Sequence, residues 1–458
     1  MRQFVRRLRP CVAIAALLAA AHAAHALTLV VATVNNGHML QLQAMSKEFE
    51  QSHPDIRIRW VTLPEGELRR AVGSDVKTRG GQFNVVTLGM YEVAVWAQRG
   101  WLAPIRPAAD YGVDDLLDNI REGLSFKGEL YAAPFYGESS MLFYRQDLLA
   151  RAGLSMPARP TWAEVEAMAS RLHDPAKGVY GICLRGMPGW GENMTLVATM
   201  VNAHGGRWFD MQWKPMLQSP AWQEAVSLYV GLLRRFGPPD ATQRGYNRNL
   251  ALFSEGRCAL WVDATVAAGY LTDVRQNPNA AHVGFAPAPR AMTDKGSHWL
   301  WAWALAIPAS ENIAHVDAAR KFVSWATSRQ YTQRVAATRG WGLVPPGVRK
   351  STYADPSFKK AAPWATLELK AIQQANPRNA TLEPSPYLGV QFAAIDQFAA
   401  IGDAVGKQVA EAVTGQISVE VALARGQALA QRNMAVGDLP VAVTPSAPDT
   451  LPRSARSK

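Results

Sequence analysis

LTLVVATV (27–34) is an almost unbroken apolar run, the pattern of a strand covered on both faces. NNGH interrupts it, and Met39, Leu42, Met45 and Phe49 then recur at helical spacing. In IRIRWVTL (56–63), Ile56, Ile58 and Trp60 alternate with arginines and a valine, which predicts a strand with one drier face. FNVVTLG (83–89) predicts another buried strand, and EVAVWAQRG beyond it a helix. Strand, helix, strand, helix at this spacing predicts a parallel α/β lobe.

Further along, Thr161-Trp162-Ala163-Glu164 has the form of a capping box, with Trp162, Val165, Met168 and Leu172 as one apolar face behind it. Ser219-Pro220 predicts a second helix start, with Trp222, Val226, Tyr229 and Leu233 on its stripe. A third helix runs through Ile395, Phe398, Ile401, Val405 and Val409 and closes near Gly415. VYGIC (179–183), CALWVD (258–263) and WLWAWALAIP (299–308) read as strands. Together these predict a large α/β protein with many buried parallel strands. Residues 435–458, rich in Pro, Ala, Ser and Thr, predict a disordered tail.

In sheets of this kind, ligands meet the loops beyond the carboxyl ends of the strands. NNGH, GMY (89–91) and DATV (263–266) occupy that position. RGMPGWGENM (185–194) sets one tryptophan on a glycine-rich backbone beside a carboxylate and a carboxamide. A phosphate cradle pairs such glycines with a cation; the interior of this loop carries Glu192 instead. No G-x-S-x-G elbow occurs. Glu138, Glu192 and Asp263 could pair as glycosidase carboxylates only at separations that a sequence does not show. A carbohydrate platform fits the loop best. A sugar's C–H face stacks on an aromatic ring, while its hydroxyls donate and accept towards Asp, Glu, Asn and Arg. The plainer reading of Trp190 is packing, since the chain has 15 tryptophans and most must be core.

The N-terminus changes the compartment. Arg2, Arg6, Arg7 and Arg9 precede a short apolar run from Val12 to Ala21, and Ala24-His25-Ala26 has the small-x-small form of a signal-peptidase site. Cleavage after Ala26 and export are expected, with no lipid anchor. Removing those 26 residues and their four arginines leaves 44 basic against 37 acidic residues, so the net charge falls from +11 to +7. That surplus is spread thinly, which argues against a nucleic-acid partner. Cys183 and Cys258 remain. Both sit in apolar strand-like runs, which favours a pair of buried thiols, although an oxidising compartment permits a bridge. The seven remaining histidines form no HExxH pattern, and neither metal nor cofactor is indicated.

ATVNNGHM (32–39), RGMPGWGENM (185–194), GGRWFDMQWKPML (205–217), CALWVDATVAAGYL (258–271), SHWLWAWALAIPA (297–309), GWGLVPPGVRKSTYADP (340–356) and PYLGVQFAAI (386–395) span nearly all of the mature chain. In these stretches it resembles the family 1 extracellular solute-binding proteins of ABC importers, and within them the sorbitol/mannitol-binding components. The resemblance implies an α/β fold of two type II-like lobes joined by three crossover segments. Residues 27–135 and 302–340 would form the first lobe, and 136–301 and 341–434 the second. A hinge motion would close them on ligand. It implies a periplasmic monomer that binds a polyol or sugar and meets membrane permease subunits. The alternatives are a binding protein for another mono- or disaccharide, a secreted glycoside-active enzyme, and a sensor that binds sugar only to contact a receptor.

Carried over residue by residue, the resemblance implies ligand contacts at Asn35, Asn36, His38, Met90 and Tyr91 of the first lobe. In the second it implies Glu138, Trp190, Glu192, Asn193, Asp263 and Tyr387. Each has a plainer reading: Asn35 or Asn36 as a cap of the following helix, Asp263 as a cap of the next one, His38 as a satisfied surface group. In WLWAWALAIP, Trp299, Trp301 and Trp303 share a strand face that reads as core more readily than as platform, and Trp301 is the one expected to touch ligand.

Overall fold

The computed structural model describes residues 26–310 and 312–436. The expected leader, apart from Ala26, and the expected tail from residue 437 onward lie outside the described residues.

The strands, in chain order, are β1 (Leu27–Val34), β2 (Ile56–Leu63), β3 (Val85–Leu88), β4 (Leu102–Ala103), β5 (Ser125–Phe126), β6 (Glu129–Leu130), β7 (Ala132–Glu138), β8 (Ser140–Arg145), β9 (Tyr180–Cys183), β10 (Cys258–Ala264), β11 (Val283–Pro287) and β12 (Trp301–Pro308). They form one sheet in the order β2-β1-β3-β12-β4, in which β7 also pairs with β12. A second sheet runs β11-β8-β10-β9, and β5 and β6 make a separate pair.

The chain divides into two compact units. Among the described residues, the first comprises those up to Val113, Leu124–Phe135 and Trp303–Gln333; the second comprises Asp114–Gly123, Tyr136–Ala302 and those from Arg334 onward. Asp114–Gly123 belongs to the second unit because the buried Arg349 guanidinium pairs with Asp115 at 3.3 Å and the Leu117 N–H donates to the Val348 carbonyl.

In the first unit, β1 runs parallel to β2, from Leu27 opposite Ile56 to Val34 opposite Leu63, and parallel to β3. β12 then joins β3 and β4 antiparallel. β2 is the outer strand of this sheet, so only Ile56 of IRIRWVTL is buried and the arginines stay at least partly wet. The expectation of many parallel strands fails in the second unit. There β8 pairs antiparallel with both β10 and β11, and only β9–β10 is parallel. Apolar runs alone do not encode strand direction, so nothing in these segments marks β8 as running opposite to β10.

Helices follow the apolar periods. In Trp162–Leu172 the Thr161 hydroxyl accepts from Glu164 N at 3.2 Å, while Glu164 Oε2 accepts from Thr161 N at 2.8 Å. Trp162, Val165, Met168 and Leu172 are buried, as are Trp222, Val226, Tyr229 and Leu233 of Pro220–Phe236. The last predicted helix begins at Phe398 rather than Ile395 and ends at Gly415, whose φ of 79° suits glycine.

The two cysteines are not free thiols. Cys183 on β9 and Cys258 on β10 form a disulfide with Cα atoms 6.1 Å apart. The parallel register sets Cys258 opposite Tyr180 and Trp261 opposite Cys183, so the bridge ties two neighbouring strands. Elsewhere in the second unit two backbones meet without side chains between them. Gly137 N donates to the Pro346 carbonyl, and a Cβ on Gly137 would stand 2.2 Å from the Gly347 carbonyl oxygen.

Candidate ligand site

In the second unit the parallel β9–β10 register does the positioning. Continued two residues past the Cys183–Trp261 pair, it brings Arg185 opposite Asp263 at the carboxyl ends of both strands. Arg185 Nη2 donates to Asp263 Oδ1 at 2.7 Å, and Nε lies 3.1 Å from each carboxylate oxygen. Asp263 also accepts from the Trp261 indole at 3.0 Å and from Ala264 N at 2.7 Å. The pair is buried, with side-chain exposures of 8% and 0%. Such a charge pair is tolerable only when the lone pairs are this well met.

Around this pair stand rings and further acids. The Arg185 guanidinium lies 5.4 Å from the Tyr246 ring centre and 5.6 Å from that of Trp299. Its Nη1 donates to the Gly191 carbonyl at 2.9 Å and lies 3.9 Å from Glu192 Oε2. Burial pushes the Tyr246 phenol well above its ordinary range, and the nearby charges of Asp263 and Glu138 push the same way. The hydroxyl is therefore neutral, and Glu138, buried at the end of β7, belongs to the same electrostatic neighbourhood.

The glycine-rich loop places its tryptophan inward. Gly186 backs onto the Ala241 carbonyl, where a Cβ would stand 2.3 Å away. Trp190 N donates to Asp403 Oδ1 at 2.9 Å. Its ring meets Trp301, Phe398 and Phe392 at centroid distances of 5.8, 6.0 and 6.4 Å, all between 70° and 75°. Those are edge contacts of a packed aromatic cluster, and Trp190 is 5% exposed. Trp301 belongs to that cluster, whereas the tryptophan beside the charge pair is Trp299.

Other predicted residues are committed to the backbone. Asn193 accepts from Gly189 N and donates to the Gly406 carbonyl at 2.8 Å, so it clamps the loop to the Phe398–Thr414 helix. The Tyr387 hydroxyl accepts from Trp208 N at 3.0 Å and its ring packs on Phe209, apart from the Arg185 group. Asp263 lies within β10 and is not a helix cap.

In the first unit Asn36 is the N-cap of Gly37–Ser52, accepting from Met39 N at 3.1 Å. Asn35 beside it is exposed. His38 is buried, not a surface group, and burial pushes its imidazole down to about 3, so it is neutral. Met90 and Tyr91 open the helix Met90–Trp96 and are buried. Close by in sequence, Glu92 Oε2 accepts from Gly89 N at 3.0 Å. Glu92 also binds Arg69, whose guanidinium lies 5.0 Å from the Trp303 ring centre and 2.9 Å from Glu65. Burial alone would loosen the Arg69 proton, but Glu92 and Glu65 outweigh it and hold the charge more firmly.

Sequence reasoning thus passed over Arg185, Tyr246, Trp299 and the Arg69–Glu92–Trp303 group. Arg185 did leave a signal: a lone arginine directly after an apolar run, at the position where the ligand rule for such sheets applies.

Residues 36–333 match the model of the bacterial extracellular solute-binding protein family. The chain belongs to that family. A solute-binding protein holds its ligand without transforming it, so the reading of the buried carboxylates as a glycosidase pair is set aside. The mannitol-binding protein of Pseudomonas aeruginosa is 49% identical over 428 residues, which cover 93% of this solute-binding protein and 98% of that one. An ABC transporter solute-binding protein from Agrobacterium vitis, solved with bound D-mannitol, aligns at a TM-score of 0.87 and 48% identity, over 89% of this chain and 98% of that chain. A ribitol complex from Agrobacterium radiobacter aligns at a TM-score of 0.79 and 23% identity, covering 89% and 98%, and shares the fold.

Proposed function

We propose that this chain captures an acyclic polyol of the mannitol, sorbitol and arabinitol class in the periplasm and delivers it, unaltered, to the permease of an ABC importer. The observation that carries the reading is the buried Arg185–Asp263 pair flanked by Trp299, Tyr246, Glu138 and Glu192. A polyol carries no charge, and each of its hydroxyls both donates and accepts. Carboxylates accept those protons strongly, a guanidinium donates, and a ring covers the C–H face; hydrogen bonds to charged groups contribute about 1.5–3 kcal/mol each. The names of the mannitol-binding relative and of the mannitol complex support this ligand class.

Within this reading Glu138 and Glu192 accept from ligand hydroxyls, Arg185 donates, the half-buried Tyr246 supplies the ring, and the buried Trp299 backs the guanidinium. Asn193 and Asp263 act at one remove, by holding the loop and the guanidinium. Asn35, His38, Met90 and Tyr91 are carried forward as contacts from the first unit. A leader cleaved after Ala26 accounts for export of a monomer.

The test is calorimetric titration of the mature protein with mannitol, sorbitol and arabinitol. The expected result is 1:1 binding near micromolar, about 8 kcal/mol, with no product formed. Replacing Tyr246 by Ala weakens it by about 1–3 kcal/mol. Flat titrations with all three polyols overturn the proposal.

A further inference from the structure

A cavity of about 480 Å³ in the second unit lies among residues that the polyol reading does not use. Arg159, Arg290, Lys295 and Lys370 line it, with Asp294 as the one acid and Ser297 and His298 at its wall. Four cations against one carboxylate leave the cavity strongly positive. Asp294 is already engaged: it pairs with Arg159 and lies 3.9 Å from Arg290 Nε.

Two buried donor atoms beside this wall make no hydrogen bond. Ser297 is 5% exposed, and its carbonyl accepts from the Ser140 hydroxyl at 3.1 Å, yet its own Oγ has no hydrogen-bond partner. The Arg290 side chain is 43% exposed, but its Nε atom is buried and makes no hydrogen bond, with the Asp294 carboxylate 3.9 Å away. Its backbone is fixed all the same: Arg290 N donates to the Pro160 carbonyl, and its own carbonyl accepts from Trp162 N. Unsatisfied buried donors call for a ligand, an ion or a water. Their fixed placement beside four cations selects an anion.

His298 narrows the chemistry. Its Nδ1 lies 3.1 Å from the Ser140 carbonyl, so that nitrogen carries the proton and Nε2 is left to accept. Burial lowers its basicity, with Lys370 acting in the same direction and Asp294 against it. A neutral ring that accepts, beside donors and cations, complements an anion that also bears a hydroxyl.

We infer that the cavity bounded by Arg159, Arg290, Ser297, His298 and Lys370 is a second binding site, for a small hydroxycarboxylate. The carboxylate meets Arg290, Lys370 and the Ser297 hydroxyl, and a ligand hydroxyl donates to His298. The site draws on none of the Arg185 group, so it stands or falls apart from the polyol reading.

The experiment uses saturation-transfer NMR of D-gluconate with the mature protein, with acetate as the probe lacking a hydroxyl. Gluconate signal is expected from the native chain and weaker signal from acetate. In Arg290→Gln/Lys370→Gln the gluconate affinity falls by about 10-fold or more, as loss of two charge-assisted contacts requires. Because Lys370 is exposed, Lys370→Gln alone keeps the test valid if the double variant fails to fold. No gluconate signal, or equal affinity in native and variant protein, overturns the inference. Acetate binding as strongly as gluconate overturns the role of His298.

Discussion

The segment WLWAW serves both units, and its first and last tryptophans end in closely similar company. Trp299, in the second unit, lies under Arg185, which Asp263 holds; Trp303, in the first, lies under Arg69, which Glu92 holds. The difference is in how the acid is anchored. Asp263 is fully buried at a strand end and takes hydrogen bonds from a guanidinium, an indole and a backbone amide. Glu92 sits in the first turn of a short helix and shares its arginine with Glu65, whose side chain is 21% exposed. One arrangement is fixed by the sheet, while the other keeps a partner that water can replace. A tryptophan, an arginine and an acid, Asp in one unit and Glu in the other, are therefore held by the sheet in one unit and partly by a solvated partner in the other.

The sharpest way to break that contrast is Asp263→Ala. It strands the Arg185 charge in a buried site, so urea unfolding should show a loss of about 5 kcal/mol, the upper range for breaking a buried pair. Trp190→Ala comes next. The ring is walled by Trp301, Phe392 and Phe398, so the unliganded protein should lose about 3–4 kcal/mol in the same assay. An unchanged melting temperature would mean that the aromatic cluster does not bear on stability.

The units should also answer pH in opposite directions. His38, in the first unit, is held neutral down to about 3 against an ordinary 6.5. Below 6.5 the unfolded chain binds a proton that the folded one refuses, so this contribution to stability is lost as pH falls from 6.5 towards 3. Glu368, in the second unit, is fully buried and accepts from the Tyr353 hydroxyl at 2.6 Å; burial pushes it up to about 7 from 4.5. The folded chain keeps that proton longer, so its contribution is full below 4.5 and is lost as pH rises to about 7, on the order of 3 kcal/mol. Unfolding curves of Glu368→Gln and His38→Asn across pH 4–8 should each remove one limb; parallel curves for both would refute the assignment. The smallest effect is Glu65→Gln, which removes a partly solvated partner of Arg69 and should cost no more than about 1 kcal/mol.

Much of this was legible in the chain. Apolar runs marked β1, β3, β9, β10 and β12, and caps marked the helices, because both signals are local. Strand direction in the second sheet was not legible, since the apolar pattern of CALWV reads the same for a parallel or an antiparallel neighbour. Neither was the candidate site. Asp263 was noticed as a hydroxyl acceptor, but its partner lies 78 residues away and meets it through strand register. Trp301 is the expected contact because a segment crossing between lobes should pass the ligand; in the structure its ring packs with Trp190 and Phe392, while Trp299, just before β12, lies beside Arg185. Asn36 turned out to be a cap because short polar side chains there serve the helix first.

The meeting of Gly137 and Gly347 has a bearing on engineering. Neither position carries a functional group, yet each admits no side chain: a methyl on Gly347 would stand 2.0 Å from the Gly137 carbonyl oxygen. A library built to retune ligand preference would therefore find these two codons as intolerant as any contact residue. Read naively, such a scan would rank a bare backbone seam among the specificity determinants.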